Sequence, residues 1–456
     1  MFKKNVLFAF RGYVFLLALL LYLMNMIISF EQLTILLNVT SICLFLTALI
    51  GAGRFYSFMS LFLLICSIVL IEIRGLSILD LVDGFSAMVN LILFVGVIPL
   101  VSFPVKGYVD EIKRMMIVLS QKVSPTKVCH YATFLLANGI VLAAIPISKI
   151  LFFSDDTDRS KQLINAELSG RSFGLALMCT PIGAAIAVAI DITGTNWISL
   201  LSVNMVIVVF GLWLSYYLVK RKIQLVDWKA QEIKSDTKKT NYLKLSHLLL
   251  PFVFYFLFVL LADGVSTLGI MELIVISVIP FTLLWSFFIK NISDWWLNFK
   301  SLNFQENPKS FGQYAVIISA GLLIYVLEIT GLDHELIQLL PGTGSVNAAY
   351  FYIPITILII LLLSMMGVHQ FVGMLFAGKL INPVIFGIHH TVFSSALLVG
   401  FVTGMLASTF SGANILMGNL VPGVTSHDLG RQNYLFTFLF VCVSTLILIG
   451  FNSFLR

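Results

Sequence analysis

Two short clusters gather most of the hydroxyl, amide and glycine residues that interrupt the apolar runs of this chain. The first lies in GRSFGLALMCTPIGAAIAVAIDITGTN, residues 170–196, where Thr180 precedes Pro181 and Gly183. The second lies in GFVTGMLASTFSGANILMGNLVPG, residues 400–423, where Ser408, Thr409, Ser411, Gly412 and Asn414 cluster ahead of Asn419. A break inside an apolar run leaves backbone N–H and C=O groups without helical partners, so irregular backbone at that depth must line a cavity. A half-helix that starts at the break points free N–H groups and a partial positive charge into it, which suits an anionic group such as a carboxylate. Carbonyls freed on the other side suit a cation such as Na⁺. Thr180, Pro181, Gly183, Ser411, Gly412 and Asn414 are therefore expected to bind a small solute. Ser408, Thr409, Asn419 and the acid Asp191 are expected to serve a coupling ion. Small residues in membrane helices commonly serve packing; the occurrence of two matched clusters favours binding.

Other chemistry is thinly represented. Cys43, Cys66, Cys129, Cys179 and Cys442 are scattered through mostly apolar stretches and form no metal or redox pair. Walker, HExxH and GxSxG motifs are absent, so the reading is of a non-enzyme without a cofactor, Na⁺ being the candidate ion. Glu272 and Glu328 fall near helix ends, where water can solvate them. His369, His389 and His390 read as interfacial polar residues.

The elements that position these clusters follow from composition. Apolar residues fill 59% of 456 positions and charged residues 11%, against roughly half and a quarter in soluble domains. The partner such a surface requires is a lipid bilayer. Apolar runs predict an all-α polytopic membrane protein with helices near 12–30, 33–50, 55–72, 85–103, 131–152, 197–219, 247–263, 268–289, 312–329, 351–370 and 432–452. That is about eleven transmembrane helices plus the two broken segments 171–192 and 391–420. The basic amphipathic stretch 104–130 is expected to lie along the inner leaflet. The +6 formal charge sits in loops and speaks for orientation, not for nucleic acid.

Positive residues collect on the cytoplasmic side of short loops. The 220–246 loop, with eight Lys and Arg, is therefore expected inside, and 153–170, with Asp155, Asp156 and Asp158, outside. Only one net crossing then separates residues 170 and 220, so 171–192 is expected to be re-entrant, as is 391–420. This arrangement places 22 of the 28 Lys and Arg inside. Residues 1–32 form a first helix, 33–219 a first repeat, 220–246 a cytoplasmic linker and 247–456 a second repeat. An odd number of crossings per repeat would insert the second upside down, an arrangement typical of secondary transporters.

TPIG in the first half and STFSGAN in the second resemble the paired motifs of the ion transporter superfamily, which includes divalent anion–sodium symporters and citrate, arsenite and dicarboxylate carriers. The resemblance covers the whole chain in architecture and about 50 residues in motif. It departs at the Ser-Asn-Thr signature, whose nearest counterpart is Ser411, Gly412, Ala413 and Asn414. It implies two tip motifs that meet near the bilayer midplane and contribute solute and cation ligands. The expected function is secondary transport of a small anionic solute across the cytoplasmic membrane, coupled to Na⁺ or H⁺, in a monomer or a homo-oligomer. The alternative is a membrane enzyme or polymerase acting on lipid-linked sugars; its outer loops would be 153–170 and 331–350, both short.

Overall fold

Helix dominates wherever the chain is described, because a bilayer cannot hydrogen-bond bare backbone and each span must satisfy its own. The structure is a computed structural model and describes all residues except 1, 29, 51, 106–107, 121, 141–143, 153–158, 225–241, 305–307, 342–346 and 456. Most of the expected 220–246 linker lies outside the described residues.

The chain opens with α1 (Phe2–Ile28), α2 (Glu31–Leu49), α3 (Arg54–Arg74), α4 (Asp80–Gly84) and α5 (Val89–Val97). The 3-10 helix Ile98–Val101 and α6 (Ser102–Val105) follow, and then α7 (Val109–Ser120), α8 (Pro125–Ile140) and α9 (Ala144–Phe152). Next come α10 (Arg159–Ala176), α11 (Ala184–Thr193), α12 (Trp197–Gln224) and α13 (Tyr242–Val265). The remainder is α14 (Ile270–Phe288), α15 (Ile292–Phe304), α16 (Pro308–Ile329), α17 (Leu332–Leu339), α18 (Ala348–Met365), α19 (Gln370–Leu380), α20 (His390–Ala407), α21 (Gly412–Leu420) and α22 (Ser426–Leu455). Among the described residues ten helical segments are long and apolar enough to cross a membrane. The chain is an all-α, multi-pass membrane protein.

Contacts divide it into two units, each drawing on both halves of the sequence. The first comprises Met1–Leu100, Met271–Thr343 and Leu375–Asn382; the second comprises Val101–Ile270, Gly344–Met374 and Pro383–Arg456. In the first unit α16 packs on α2 and α3. Ile71, Leu81, Leu322 and Val326 form one of its buried clusters. A Cβ on Gly312 would lie 3.1 Å from Tyr56 Cβ, so the missing side chain lets α16 approach α3 closely. Two buried polar side chains of this unit are held by hydrogen bonds: Arg11 Nε donates to Thr47 O at 2.7 Å, and Asn38 Nδ2 to Asp83 at 2.7 Å.

The second unit is built around α20, buried continuously from Thr391 to Ala407. A helix apolar all round belongs inside a bundle. Gly400 and Gly404, spaced as GxxxG, let α18 come close. A Cβ on Gly404 would sit 2.5 Å from Ser364 Oγ, and one on Gly400 2.8 Å from Ile360 Cδ1.

One expected span, 131–152, is corrected. Thr133 and Ser148 share a hydroxyl hydrogen bond of 2.8 Å. On a continuous helix, fifteen residues would separate them by about 22 Å. Segment 131–152 therefore reverses between α8 and α9 and is a hairpin of two helices, each too short to cross. The expected span 351–370 is α18, which ends at Met365 before a turn through Gly367, whose φ of 93° favours glycine.

The re-entrant assignment is corrected with it. Segment 153–170, expected as an outer loop, is largely the buried helix α10. Arg159 pairs with Asp428 at 3.1 Å and Lys222 with Glu167 at 2.9 Å, whereas Thr195 meets Thr391 at 3.1 Å. Residues 159, 167, 222 and 428 thus share one end of the unit. Residues 195 and 391 lie at the other end, because α12 carries the chain about 40 Å between them. The broken pairs α10–α11 and α20–α21 each traverse the unit. The element that enters and leaves by one end is the α8–α9 hairpin, so the number of net crossings between residues 104 and 220 is unchanged.

Candidate functional site

Both sequence clusters fall where a long helix of the second unit stops and a short one starts. In the first, α10 ends at Ala176 and α11 starts after Gly183. Thr180 is fully buried and its Oγ1 donates to Asn138 O of α8 at 2.8 Å. Two carbonyls freed by the break are taken by α12: Asn204 Nδ2 donates to Met178 O at 2.8 Å, and Trp197 Nε1 to Cys179 O at 3.2 Å. Gly183 caps α11 with extended backbone and no side-chain hydrogen bond. A Cβ there would meet Thr180 Cγ2 at 2.6 Å and Thr180 O at 3.1 Å, so the turn itself requires glycine.

In the second, α20 ends at Ala407 and α21 starts after Ser411, whose Oγ accepts from Asn414 N at 3.2 Å as an N-cap. Asn414 is buried, and its Nδ2 faces the carbonyls of Met405, Leu406 and Ser408 at 3.3, 3.0 and 2.9 Å. The amide nitrogen thus clasps the end of α20. Ser408 Oγ accepts from Phe410 N at 3.2 Å, tightening the same turn.

The clusters are neighbours. A Cβ on Gly174, in the last turn of α10, would lie 3.1–3.5 Å from Met405, Val402 and Leu406 in the last turns of α20. Because α11 packs along α20 and Thr195 meets Thr391, the start of α11 faces the same stretch of α20. Thr180, Pro181, Gly183, Ser408, Thr409, Ser411, Gly412 and Asn414 thus lie in two breaks at one level of the unit. Asp191 and Asn419 do not. Asp191 is exposed about 12 Å along α11 from Gly183, and Asn419 is exposed at the end of α21.

The sequence reading passed over three buried groups. Asn204 is fully buried, and among the described residues its Oδ1 accepts no hydrogen bond. Arg171, which directly follows the expected outer loop 153–170, is 1% exposed. Its Nε donates to Asn433 Oδ1 at 2.8 Å, and its Nη2 to Gln432 O at 2.9 Å and to Glu167 at 2.5 Å. Asn433 Nδ2 donates in turn to Leu406 O at 3.2 Å, so the guanidinium is one residue removed from the second break. The third is Glu167, also buried. The Glu167–Arg171 spacing of four is visible in the sequence as a helical ion pair; the partners from α12 and α22 are not.

Thr193, Thr195, Asn196, Ser199, His389 and His390 line an open polar cavity of about 370 Å³ at the far end of α11 and α20. Among the described residues no three His, Cys, Asp or Glu side chains gather as a metal site. No protein-family model matches this chain, and comparison with curated proteins finds no significant match.

Proposed function

We propose that the chain is a secondary transporter for a small carboxylate-type anion, working across the cytoplasmic membrane and coupled to Na⁺ or H⁺. The observation that carries this reading is the pair of adjacent helix breaks inside one buried bundle. Each break is followed by a helix long enough to span: α12 after α10–α11 in one half and α22 after α20–α21 in the other. The same order in both halves, with the two broken elements running antiparallel, supports an inverted repeat. A helix that begins at a break presents backbone N–H groups and a partial positive charge at its N-terminus, which favours an anion. Hydroxyl and amide side chains there recognise a solute without placing a net charge in lipid.

Orientation supports the reading. With the end that holds residues 159, 222 and 428 taken as cytoplasmic, Arg159, Lys161, Arg221, Lys222 and Arg431 of this unit gather on that side. The test is uptake of labelled succinate and citrate into proteoliposomes under an inward Na⁺ or proton gradient. Gradient-dependent accumulation is expected. Equal uptake with the gradient collapsed by an ionophore would count against coupled transport.

A further inference from the structure

Arg171 presents a problem that its neighbours leave unsolved. A guanidinium has five donors and no acceptor. Nε and Nη2 are engaged, but the buried Nη1 has no hydrogen-bond partner among the described residues. Phe436 lies under the plane, 4.8 Å from the guanidinium carbon, and offers only its ring face. A buried donor left unmade costs free energy, more so on a charged group.

The counter-ion is shared. Glu167 accepts from Arg171 at 2.5 Å on Oε1 and from Lys222 at 2.9 Å on Oε2, so one carboxylate faces two cations. Lys222 also holds Gln432 Oε1 at 2.8 Å, and its side chain is 43% exposed, toward the end of the unit that carries Arg159 and Asp428. Those two pair with each other and leave no net charge. His130 makes no hydrogen bond to Arg171, Glu167 or Lys222 among the described residues; its Nδ1 meets the Ser172 hydroxyl at 2.5 Å.

Position completes the case. Arg171 lies one turn before Gly174, which touches the end of α20, and it reaches Leu406 O through Asn433. We propose that Arg171, through Nη1, is the anchor for a carboxylate of the transported solute, with Glu167 a resident stand-in that Lys222 retains when the solute binds. This rests on the transport reading and deepens it, since it gives the solute a full negative charge at the end nearer the breaks. Guanidinium–carboxylate pairing is the geometry that matches an unused Arg donor.

The experiment uses the full-length protein in nanodiscs, with succinate, its monoamide succinamate and uncharged succinamide as probes, and binding read by thermal shift and by equilibrium dialysis. The wild type is expected to bind succinate. Arg171→Gln is expected to weaken succinate tenfold or more while narrowing its preference over succinamide. Glu167→Gln removes the competing charge and is expected to tighten succinate several-fold. It serves as the second readout, and carries the test if Arg171→Gln does not fold. Succinate affinity unchanged in Glu167→Gln, or an Arg171→Gln variant that keeps the full preference for succinate over succinamide, overturns the anchor and leaves the transport reading standing. A wild type that binds none of the three removes the carboxylate reading and the anchor together.

Discussion

Replacing Asn414 by alanine tests whether the second break is a built structure. Its Nδ2 faces three carbonyls, those of Met405, Leu406 and Ser408, within 3.3 Å. Two amide hydrogens serve them, so alanine removes about two hydrogen bonds. Leu406 O keeps a donor from Asn433 at 3.2 Å. Ser408 O keeps the N–H of Ser411 at 3.3 Å, whereas Met405 O loses its donor at a helix end where helical donors run out. At about 1–1.5 kcal/mol per buried bond lost, the variant is expected to be about 2–3 kcal/mol less stable. Asn419→Ala, on the exposed end of α21, should change stability by no more than about 0.5 kcal/mol. The assay is reversible unfolding of detergent-solubilised protein by a denaturing surfactant, followed by tryptophan fluorescence. Equal stability of Asn414→Ala and Asn419→Ala would refute the clasp and with it the idea that the break is held open by design.

Three further outcomes follow from the geometry. Gly183→Ala drives a Cβ to within 2.6 Å of Thr180 Cγ2 and is expected to cost about 1–3 kcal/mol. Adding Thr180→Ser removes that methyl and should recover part of the loss in a double-mutant cycle, whereas strict additivity would exclude the contact. Gly404→Ala meets Ser364 Oγ at 2.5 Å and should lower the yield of folded protein, while Gly450→Ala, with nothing within 4 Å, should be neutral or slightly stabilising; size-exclusion yields that do not differ would contradict the close α18–α20 packing. In a cysteine-free background, Arg159→Cys and Asp428→Cys should react with an impermeant maleimide from one side of the membrane, and Thr195→Cys and Thr391→Cys from the other. Labelling of residues 159 and 428 from opposite sides would restore the outer-loop reading of 153–170.

Much of this arrangement was legible in the sequence. Both breaks fall where Pro, Gly, Ser and Asn interrupt apolar runs, because those residues disfavour helix interiors locally and need no distant partner to do so. What escaped depends on distant partners. Segment 131–152 is predominantly apolar, so hydropathy reads it as one span and misses the reversal, across which Thr133 meets Ser148. Segment 153–170 carries charges that mark an exposed loop when read alone. In the bundle Glu167 and Arg171 neutralise one another and draw on Lys222 and Asn433, and that pairing lets the helix be buried. The two errors compensated in the crossing count, which is why the charge bias could not expose them.

The central claim is that the two breaks form one solute site, and cysteine protection tests it most directly. Ala184 starts α11 and Ala413 lies in the first turn of α21, both partly exposed. Each can carry a single cysteine once the five native ones are replaced. Saturating succinate or citrate, whichever the wild type accumulates, is expected to slow N-ethylmaleimide alkylation of both Ala184→Cys and Ala413→Cys with the same half-maximal concentration. Protection at one position alone, or at neither, would contradict a shared site.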